Sequence, residues 1–543
     1  MNGKNTISII LNCHVPLFHR YGAGISVDEV PFFQALSCTY IPLLRMLDRL
    51  DSDCVPFRLA LVLSSPLMSM FRNEALIDKY TRYVKAQIAF GESELRRTEN
   101  KHNDALWKLA NYYYNTTKEK HLAFIEQYDK QILKRINYYR KKGRLEIIAT
   151  SGTHCFLPFY AKYPEVLRAQ FETALEDYAK TFGAMSAGFY LPELGFSKAL
   201  EPYLHRYGIN YTVIDAHAAA LADPPAKTGS FYPLRLRQGC FLLVRDHQAW
   251  KEVAGNKDAF YQNEIYCDDN EDIGFKLDED LVKDFIDMDG KRCPTGYRYL
   301  RNGDKDDIYD RSGAKKKALA DAAEFIRRRE AALITARSFG EENPQNPEYL
   351  MDPVSVCVWD AGCLGTYWQE GIFFLEEVLR RGASNEALSF ATPSEYLCRQ
   401  DSSLFQTISP EFTSSGINGY GEAFIDKPND WIYRHLYHAI ERMIELAGRF
   451  NDETGLKATA LNQAARELLL SQASDWIKIS RSNSGGTVWN EQRVLAHLRN
   501  FTTIYESLGG DYLSTKLLAE LGATDGIFPR IKYHIFKRQA PAN

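Results

Sequence analysis

Short apolar runs alternate with longer segments of helical spacing along the first 400 residues. Each run is about the length of a buried strand, and the segments between several of them repeat apolar positions every three or four residues. Short strands that alternate with helices predict a parallel α/β fold. The strand-like runs are residues 7–11, 57–63, 145–150, 188–193, 209–215, 240–246 and 355–359.

Two parts of the chain depart from this alternation. Residues 72–141 contain almost no Gly or Pro and predict a helical insertion, whereas the strand signal disappears from about residue 403. We therefore predict a catalytic barrel domain at 1–402, which includes the insertion, and a helical domain at 403–543. Near the N-terminus, Ser26 and Glu29 have the spacing of a capping box, and Pro42 predicts a kink.

Polar and ionisable side chains follow the ends of six of the apparent strands. In an α/β barrel these ends open onto one face, where active sites are built. Two carboxylates among them are what cleavage of a glycosidic bond requires. Any single His or Asp in such a place is often structural, so the set carries more weight than its members. These residues are His14, His154, Glu193, His217, Arg245 with Asp246, and Asp360.

Composition narrows the range of partners. A chain of 543 residues predicts two or three domains, and a net charge of −4 gives no basic field for nucleic acid. Aromatic residues make up 13% of the chain, which mildly favours a ligand with sugar rings. The ten cysteines are scattered without a CxxC pair, so we expect reduced thiols, no metal site and a cytoplasmic protein. No apolar segment suggests a signal peptide or a membrane span.

Ten segments, in order along the chain, are similar to glycoside hydrolase family 57. The resemblance is strongest to its branch of 1,4-α-glucan branching enzymes and related α-amylases, and it runs from residue 12 to residue 476. The segments are NCHVP (12–16), EIIATSGTHCFLP (146–158), YLPELGF (190–196), RDHQAW (245–250), EDIGF (271–275), TGYRYLR (295–301), WDAGCLGTYWQEG (359–371), TPSEYL (392–397), NDWIYRH (429–435) and SQASDW (471–476).

The resemblance implies a fold and a mechanism. The fold would be an incomplete (β/α)7 barrel with a helical insertion and a C-terminal helical domain. The mechanism would be retaining and free of cofactors, with Glu193 as the nucleophile and Asp360 as the general acid/base. Their carboxyls would lie about 5 to 5.5 Å apart. Glu193 would be ionised at rest, and the surroundings of Asp360 would raise its pKa.

The same resemblance implies a set of substrate-binding residues. His14 and His154 would hydrogen-bond the sugar before the scissile bond, Trp250 would stack on a sugar ring, and Asp475 with Trp476 would reach in from the helical domain. The full set is His14, His154, His217, Arg245, Trp250, Tyr367, Trp368, Asp475 and Trp476. The substrate would be an α-glucan or maltooligosaccharide, and the protein a monomer or homodimer.

Several groove positions differ from the family pattern. Gly362 stands where a glutamate is usual, Thr366 and Tyr367 replace a histidine and a tryptophan, and Trp368 remains. Tryptophans are also expected at the positions of Pro31, Gly416 and Phe424. Each lost stacking surface would weaken glucan binding by about 1 kcal/mol or more.

These differences leave several functions open. Branching, which transfers a chain from an α-1,4 to an α-1,6 linkage, is the main hypothesis. The alternatives are α-amylase or 4-α-glucanotransferase activity on another α-glucan, and a glycan-binding barrel with impaired catalysis. A zinc-dependent deacetylase or mannosidase is disfavoured, because Asn12-Cys13-His14 at the end of the first strand has no nearby Asp.

Overall fold

A computed structural model describes most of the chain. The described residues are 5–20, 22, 24–100, 104–255, 259–303, 307–416, 418–481, 487–488, 490–510 and 512–539.

The described residues form twelve strands and nineteen α-helices. The strands are β1 (Asn5–Cys13), β2 (Leu59–Leu63), β3 (Leu145–Thr150), β4 (Phe189–Tyr190), β5 (Tyr211–Ile214), β6 (Leu234–Arg235), β7 (Phe241–Val244), β8 (Val354–Asp360), β9 (Leu388–Phe390), β10 (Gln406–Thr407), β11 (Ser480–Arg481) and β12 (Thr487–Val488). The helices are α1 (Val30–Gln34), α2 (Ile41–Ser52), α3 (Ser65–Arg72), α4 (Glu74–Asn100), α5 (Asp104–Leu122), α6 (Ile132–Lys141), α7 (Pro164–Phe182), α8 (Glu201–Arg206), α9 (Ala216–Ala220), α10 (His247–Ala254), α11 (Glu279–Val282), α12 (Arg311–Glu342), α13 (Gly371–Ser384), α14 (Pro393–Arg399), α15 (Ile432–Arg449), α16 (Gly455–Ser471), α17 (Ser474–Ile477), α18 (Glu491–Gly509) and α19 (Thr515–Thr524).

The chain folds into two compact units, and each unit is built from segments that are distant in sequence. The first unit comprises Met1–Leu61, Met70–Glu146 and Asp246–Gln400. The second unit comprises Val62–Ser69, Ile147–Arg245 and Asp401–Asn543. The domain limits predicted from the sequence, 1–402 and 403–543, remain a prediction.

Parallel strands form the centre of the first unit. Strand β1 pairs in parallel with both β8 and β9, and all nine of its residues are buried. Burial of every residue in a strand is typical of parallel sheets covered on both faces, and it explains the continuous apolar runs in the sequence. The pairing register sets Asn12 of β1 opposite Asp360, the last residue of β8.

The capping box predicted at the start of the first helical region is confirmed, whereas the kink at Pro42 stays a prediction. Ser26 and Glu29 form a capping box, in which the backbone N–H of Ser26 donates to Glu29 Oε2 at 3.0 Å. Pro42 lies in the first turn of α2, where proline is tolerated, and a π-helical turn (Ala35–Tyr40) precedes that helix. The region predicted as a helical insertion holds the helices α4, α5 and α6.

The second unit also contains parallel strands. Strand β3 pairs with β4, and β5 pairs with β7, both in parallel. Strand β6 runs antiparallel to β7 and parallel to β10. The C-terminal helices pack mainly on one another, with α16 against α18 and α15 and with α19 against α16.

The part of the chain after residue 403 is not wholly helical. Gln406–Thr407 adds a short strand to β6, and β11 pairs with β12 as an antiparallel ribbon. Two-residue strands carry too few alternating positions to be detected in a sequence, because the strand signal depends on runs of four or more residues. The α/β class with parallel strands is confirmed.

One helical stretch, Val27–Ser52, is long and apolar enough to cross a membrane by length and composition alone. No such stretch was expected from the sequence. In the structure, 67% of its most apolar window is buried within the protein, which is also what a core helix shows.

Candidate active site

Asp360 ends strand β8 in the first unit, and its side chain is exposed. Asn12, its neighbour on β1, donates from Nδ2 to Asp360 Oδ1 at 2.8 Å. A hydrogen bond from an amide restrains the orientation of the carboxylate that accepts it. The parallel register therefore supplies Asp360 with a rigid partner from the next strand.

A buried polar network supports the strand that carries Asp360. Trp359 donates from Nε1 to the carbonyl oxygen of Ala249 at 3.1 Å, which ties β8 to α10. Asp246 caps α10 and accepts hydrogen bonds from Ser355 of β8 at 2.6 Å and from Arg329 of α12 at 2.5 Å. Because these groups are buried and hydrogen-bonded to one another, they restrain strand β8.

The other predicted site residues of the first unit differ in exposure. His14 and Trp250 are half-buried, and Tyr367 is 54% exposed. Trp368 is only 1% exposed and packs against Tyr266 at a centroid distance of 5.2 Å. A sugar ring has no free face of Trp368 to stack on, so we assign that residue a structural role.

Glu193 lies just after strand β4 in the second unit. Its backbone adopts a left-handed conformation with φ of 57°, which is costly for a residue with a side chain. The N–H of Ser415 donates to the Glu193 carbonyl at 2.6 Å, and the Ser415 hydroxyl donates to Oε2 at 3.3 Å. Lys478 contacts both carboxylate oxygens, at 2.9 and 3.0 Å.

The charge state of Glu193 follows from these contacts. Burial favours the neutral form and by itself would raise the pKa of the carboxyl. The Lys478 ammonium and, to a smaller extent, His154 outweigh burial, so the pKa of Glu193 lies below its ordinary value. The side chain is 17% exposed, and Lys478 is 46% exposed, so the pair is open to solvent on one side.

His154 and Asp475 lie in the surroundings of Glu193. The Asp475 charge acts on Glu193 and opposes the effect of Lys478 on its pKa. His154 shares a hydrogen bond of 2.9 Å between its Nδ1 and the hydroxyl of Ser474, the residue before Asp475. Its carbonyl also accepts from the Ser474 N–H at 3.2 Å. The second unit therefore brings together three predicted site residues that are far apart in sequence.

Three further predicted residues of the second unit make contacts that are structural in kind. Arg245 is buried and pairs with Asp215 at 2.5 Å. The Nε2 of His217 lies 3.0 Å from the carbonyl oxygen of Gly419. Trp476 is 2% exposed and donates from Nε1 to the carbonyl of Leu470 at 2.9 Å. Neither Arg245 nor Trp476 offers a free face to a ligand.

Sequence reasoning did not identify Asn12, Ser415 or Lys478. Asn12 lies within the NCHVP motif, but its contact with Asp360 depends on the register between β1 and β8. Lys478 stands two residues after the motif that ends at Trp476, and a lysine near the end of a short helix is usually solvated. Its pairing with Glu193, 285 residues away, arises from tertiary structure.

Several of the altered groove positions have local explanations. Phe424 is buried and stacks on Phe156, with ring centroids 4.4 Å apart and planes 10° from parallel. The hydroxyl of Thr366 lies 3.1 Å from that of Thr39. These side chains pack within the protein.

Backbone conformation accounts for two further positions. Pro31 lies in the first turn of α1, where proline is tolerated. Gly416 has a φ of 97°, which favours glycine over a residue with a side chain. The structure offers no explanation for Gly362.

Glu467, His497 and Asp525 form one group of possible metal-ligating side chains within the second unit. One ligand atom from each lies within 4.8 Å of the others, and all three residues are buried. Nδ1 of His497 lies 2.8 Å from Glu467 Oε2, so the group is already satisfied as an ion pair.

Comparison with known proteins agrees with these observations. The sequence profile of "Glycosyl hydrolase family 57" matches residues 8–405, and that of "1,4-alpha-glucan branching enzyme, C-terminal" matches residues 435–536. A curated 1,4-alpha-glucan branching enzyme of Thermococcus kodakarensis is 24% identical over 573 residues, which cover 97% of this chain and 77% of that protein.

Solved structures extend the similarity to the fold. The alpha-amylase AmyC of Thermotoga maritima superposes with a TM-score of 0.89 and 30% identity over 99% of this chain and 100% of that one. A branching enzyme of Pyrococcus horikoshii gives a TM-score of 0.85 and 21% identity, over 100% of this chain and 98% of that one. The fold class expected from the sequence, an incomplete (β/α)7 barrel with a C-terminal helical part, is thereby confirmed. With a profile match over well more than half of its length, the chain belongs to glycosyl hydrolase family 57.

Proposed function

We propose that the protein is a retaining enzyme that acts on α-glucans, with 1,4-α-glucan branching as its reaction. Glu193 attacks the anomeric carbon of an α-1,4-linked glucosyl unit and forms a glycosyl-enzyme. Asp360 protonates the leaving oxygen, then removes a proton from a sugar 6-hydroxyl that attacks the intermediate. The product is an α-1,6 branch, the linkage that glycogen synthesis requires.

The contact of Lys478 with both carboxylate oxygens of Glu193 is the observation that carries this proposal. A nucleophilic carboxylate must be charged before substrate binds, although burial favours its neutral form. Lys478 supplies the compensating charge, and Ser415 restrains one oxygen. The left-handed backbone at Glu193 is strain of the kind that clusters at functional sites.

Similarity supports branching in particular. The C-terminal part matches the profile of branching enzymes, and a curated branching enzyme aligns with nearly the whole chain. The ten cysteines are free, and six of them are buried. We therefore also propose a reducing, cytoplasmic location. A monomer or homodimer that uses no cofactor stays a prediction.

The proposal is tested by incubating the protein with amylose. Proton NMR is expected to detect new α-1,6 linkages, and iodine staining is expected to fade. Glu193→Gln removes the nucleophile and should lower the rate by at least about a thousandfold. Glu411→Gln, which alters an exposed carboxylate of the same unit that pairs with Lys198, is the control and should retain activity. Branching at an unchanged rate in E193Q would exclude Glu193 as the nucleophile.

Hydrolysis of α-glucan is the second candidate. It is favoured by the 30% identity with an alpha-amylase over almost the whole chain, which exceeds the 24% identity with the curated branching enzyme. In the amylose assay, reducing ends would then increase without α-1,6 linkages. Formation of longer and shorter linear chains would instead indicate 4-α-glucanotransferase activity.

A binding protein without turnover is the third candidate. It is favoured by the altered groove and by the burial of Trp368 and Trp476. Calorimetry with maltooligosaccharides, combined with chromatography of the mixture, would detect binding without products.

A further inference from the structure

A cavity of about 330 Å³ lies within the first unit, among α2, α4 and α5. The loop around Arg298 and the segment 365–372 complete its wall. Among the described residues, none of the predicted catalytic or substrate-binding side chains lines it. Its volume is at the lower end of the range for sites that enclose a small molecule.

The cavity is rich in positive charge. Its lining contains one carboxylate, Glu119, and five cationic side chains: Arg45, Arg49, Lys120, Arg298 and Arg311. Arg45 pairs with Glu119 at 3.0 Å, and Arg49 pairs with Glu376, outside the lining, at 2.5 Å. Within the described chain, the other three cations form no ion pair with a carboxylate. Carboxylates outside the lining act on Arg298 and Arg311 only through charge, without a direct ion pair. Within the lining, cations outnumber carboxylates, which favours an anionic ligand.

Arg298 is the most informative of these cations. Its Nη1 donates to the carbonyl of Thr366 at 3.3 Å, and its Nε is buried and has no hydrogen-bond partner among the described residues. A buried donor left without a partner costs free energy, which a ligand can recover. The planar guanidinium fork matches the oxygens of a phosphate group.

Tyr113 fixes the position of Arg298. Its hydroxyl donates to the Arg298 carbonyl at 2.6 Å, and Gln369 Oε1 lies 3.0 Å from the same hydroxyl. This contact holds the backbone of Arg298, and the bond from Nη1 to the Thr366 carbonyl restrains the guanidinium. A preorganised cation loses little freedom when an anion binds.

The rest of the lining is suited to a polyhydroxylated ligand. Four tyrosines, three glutamines, Ser37, Thr116 and Thr117 line the cavity. They offer hydroxyl and amide groups that can donate and accept hydrogen bonds. The Arg311 guanidinium lies 3.8 Å from the centroid of the Tyr112 ring, which orients both groups. We propose that this cavity binds a phosphorylated sugar, with Arg298 and Arg311 on the phosphate and the tyrosine and glutamine side chains on the sugar hydroxyls.

The full-length protein is titrated by calorimetry at low ionic strength with glucose 6-phosphate, inorganic phosphate and glucose. We expect one molecule of glucose 6-phosphate per chain, bound more tightly than inorganic phosphate. R298Q and R311Q should each weaken that binding by about tenfold or more, because each removes a charge-assisted hydrogen bond. The matched control is R327Q, which changes an exposed arginine of the same unit that pairs with Glu324. Neither R327Q nor D360N should change the affinity.

Three outcomes would overturn the proposal. They are no binding of glucose 6-phosphate, equal affinity in the wild type and both cavity variants, or equal affinity for inorganic phosphate and the sugar phosphate. Thermal unfolding shows whether each variant is folded. Arg311 is exposed, so R311Q decides the question if R298Q does not fold. D360N changes a proposed catalytic residue that does not line the cavity. Binding of glucose 6-phosphate should therefore persist in D360N even if the proposed catalysis is lost or wrong.

Discussion

Glu193 is subject to two opposing influences, burial and a neighbouring ammonium group. Burial raises the pKa of its carboxyl, and Lys478 lowers the pKa by direct contact with both oxygens. The net effect is a pKa below the ordinary value, so the group remains charged at acidic pH. Lys478 is therefore proposed to keep the nucleophile ionised.

This role predicts a pH effect for Lys478→Met. Without the ammonium, burial dominates and the pKa of Glu193 rises, so less of the carboxylate is ionised at low pH. The acid limb of the kcat/KM profile, measured from about pH 4 to 8, should move to higher pH. The loss of activity should therefore be greater at the acidic end of the profile.

Lys198→Met is the matched control for this prediction. Like Lys478, Lys198 pairs with a carboxylate of the second unit. Its partner is the exposed Glu411 and not Glu193. Its profile should match that of the wild type. An acid limb that stays in place in K478M would show that Lys478 does not set the charge of the nucleophile.

At the scale of elements, helix α12 holds strand β8, which ends at Asp360, through a buried ion-pair network. Arg329 lies 2.5 Å from Asp246 and 3.3 Å from Glu252, and all three side chains are at most 4% exposed. Arg329→Met would leave the buried Asp246 without its cation, whereas Glu252 would keep its ion pair with Arg328 at 3.1 Å. The expected destabilisation is about 3–5 kcal/mol, measured as a lower midpoint of thermal unfolding.

Arg327→Met provides the control on the same helix. Arg327 is exposed and, among the described residues, forms an ion pair with Glu324 alone. Replacing Arg327 should therefore change the unfolding midpoint little. Similar midpoints for R329M and R327M would contradict a structural role for the buried network.

The C-terminal helices carry a pH-sensitive contact. Burial and then Glu467 raise the pKa of Asp525 to about 7. Burial lowers the pKa of His497, but its hydrogen bond to Glu467 outweighs this and raises the pKa above the ordinary value. Both groups thus hold protons more tightly when folded than when unfolded. The stability they contribute is present at acidic pH and is lost as the pH rises through these raised values.

Asp525→Asn should flatten this dependence, because an amide does not ionise. The measurement is the thermal unfolding midpoint at several values between about pH 5 and 9. Asp452→Asn, an exposed position in the same unit, should keep the dependence of the wild type. The same slope in D525N and in the wild type would rule out Asp525 as a source of the pH dependence.

For the whole molecule, apolar patterning was sufficient to predict the α/β class with parallel strands. The buried strands β1, β3, β5, β7 and β8 stand out as runs of apolar residues, because parallel strands covered on both faces have no polar face. The polar residues after these runs were correctly expected at strand ends. Each apolar run lies within one short segment of the chain, so it can be recognised from the sequence alone.

Side-chain partners and exposure were less accessible to sequence reasoning. The sequence around Trp368 does not distinguish a side chain that lines a groove from one that packs against Tyr266. Phe424 likewise replaces an expected groove tryptophan, yet it stacks in the interior on Phe156. The pairing of Lys478 with Glu193 joins segments that only the tertiary fold brings together.

The central claim is that Glu193 forms a covalent bond to the glucan. The most direct test incubates the D360N variant, in which breakdown of the intermediate should be slow, with an activated fluorinated α-glucosyl fluoride. Mass spectrometry of the digested protein should then find one glycosyl group on the peptide that contains Glu193, and no label in the D360N/E193Q double variant. A label on a different carboxylate, or a product with inverted anomeric configuration, would contradict the account.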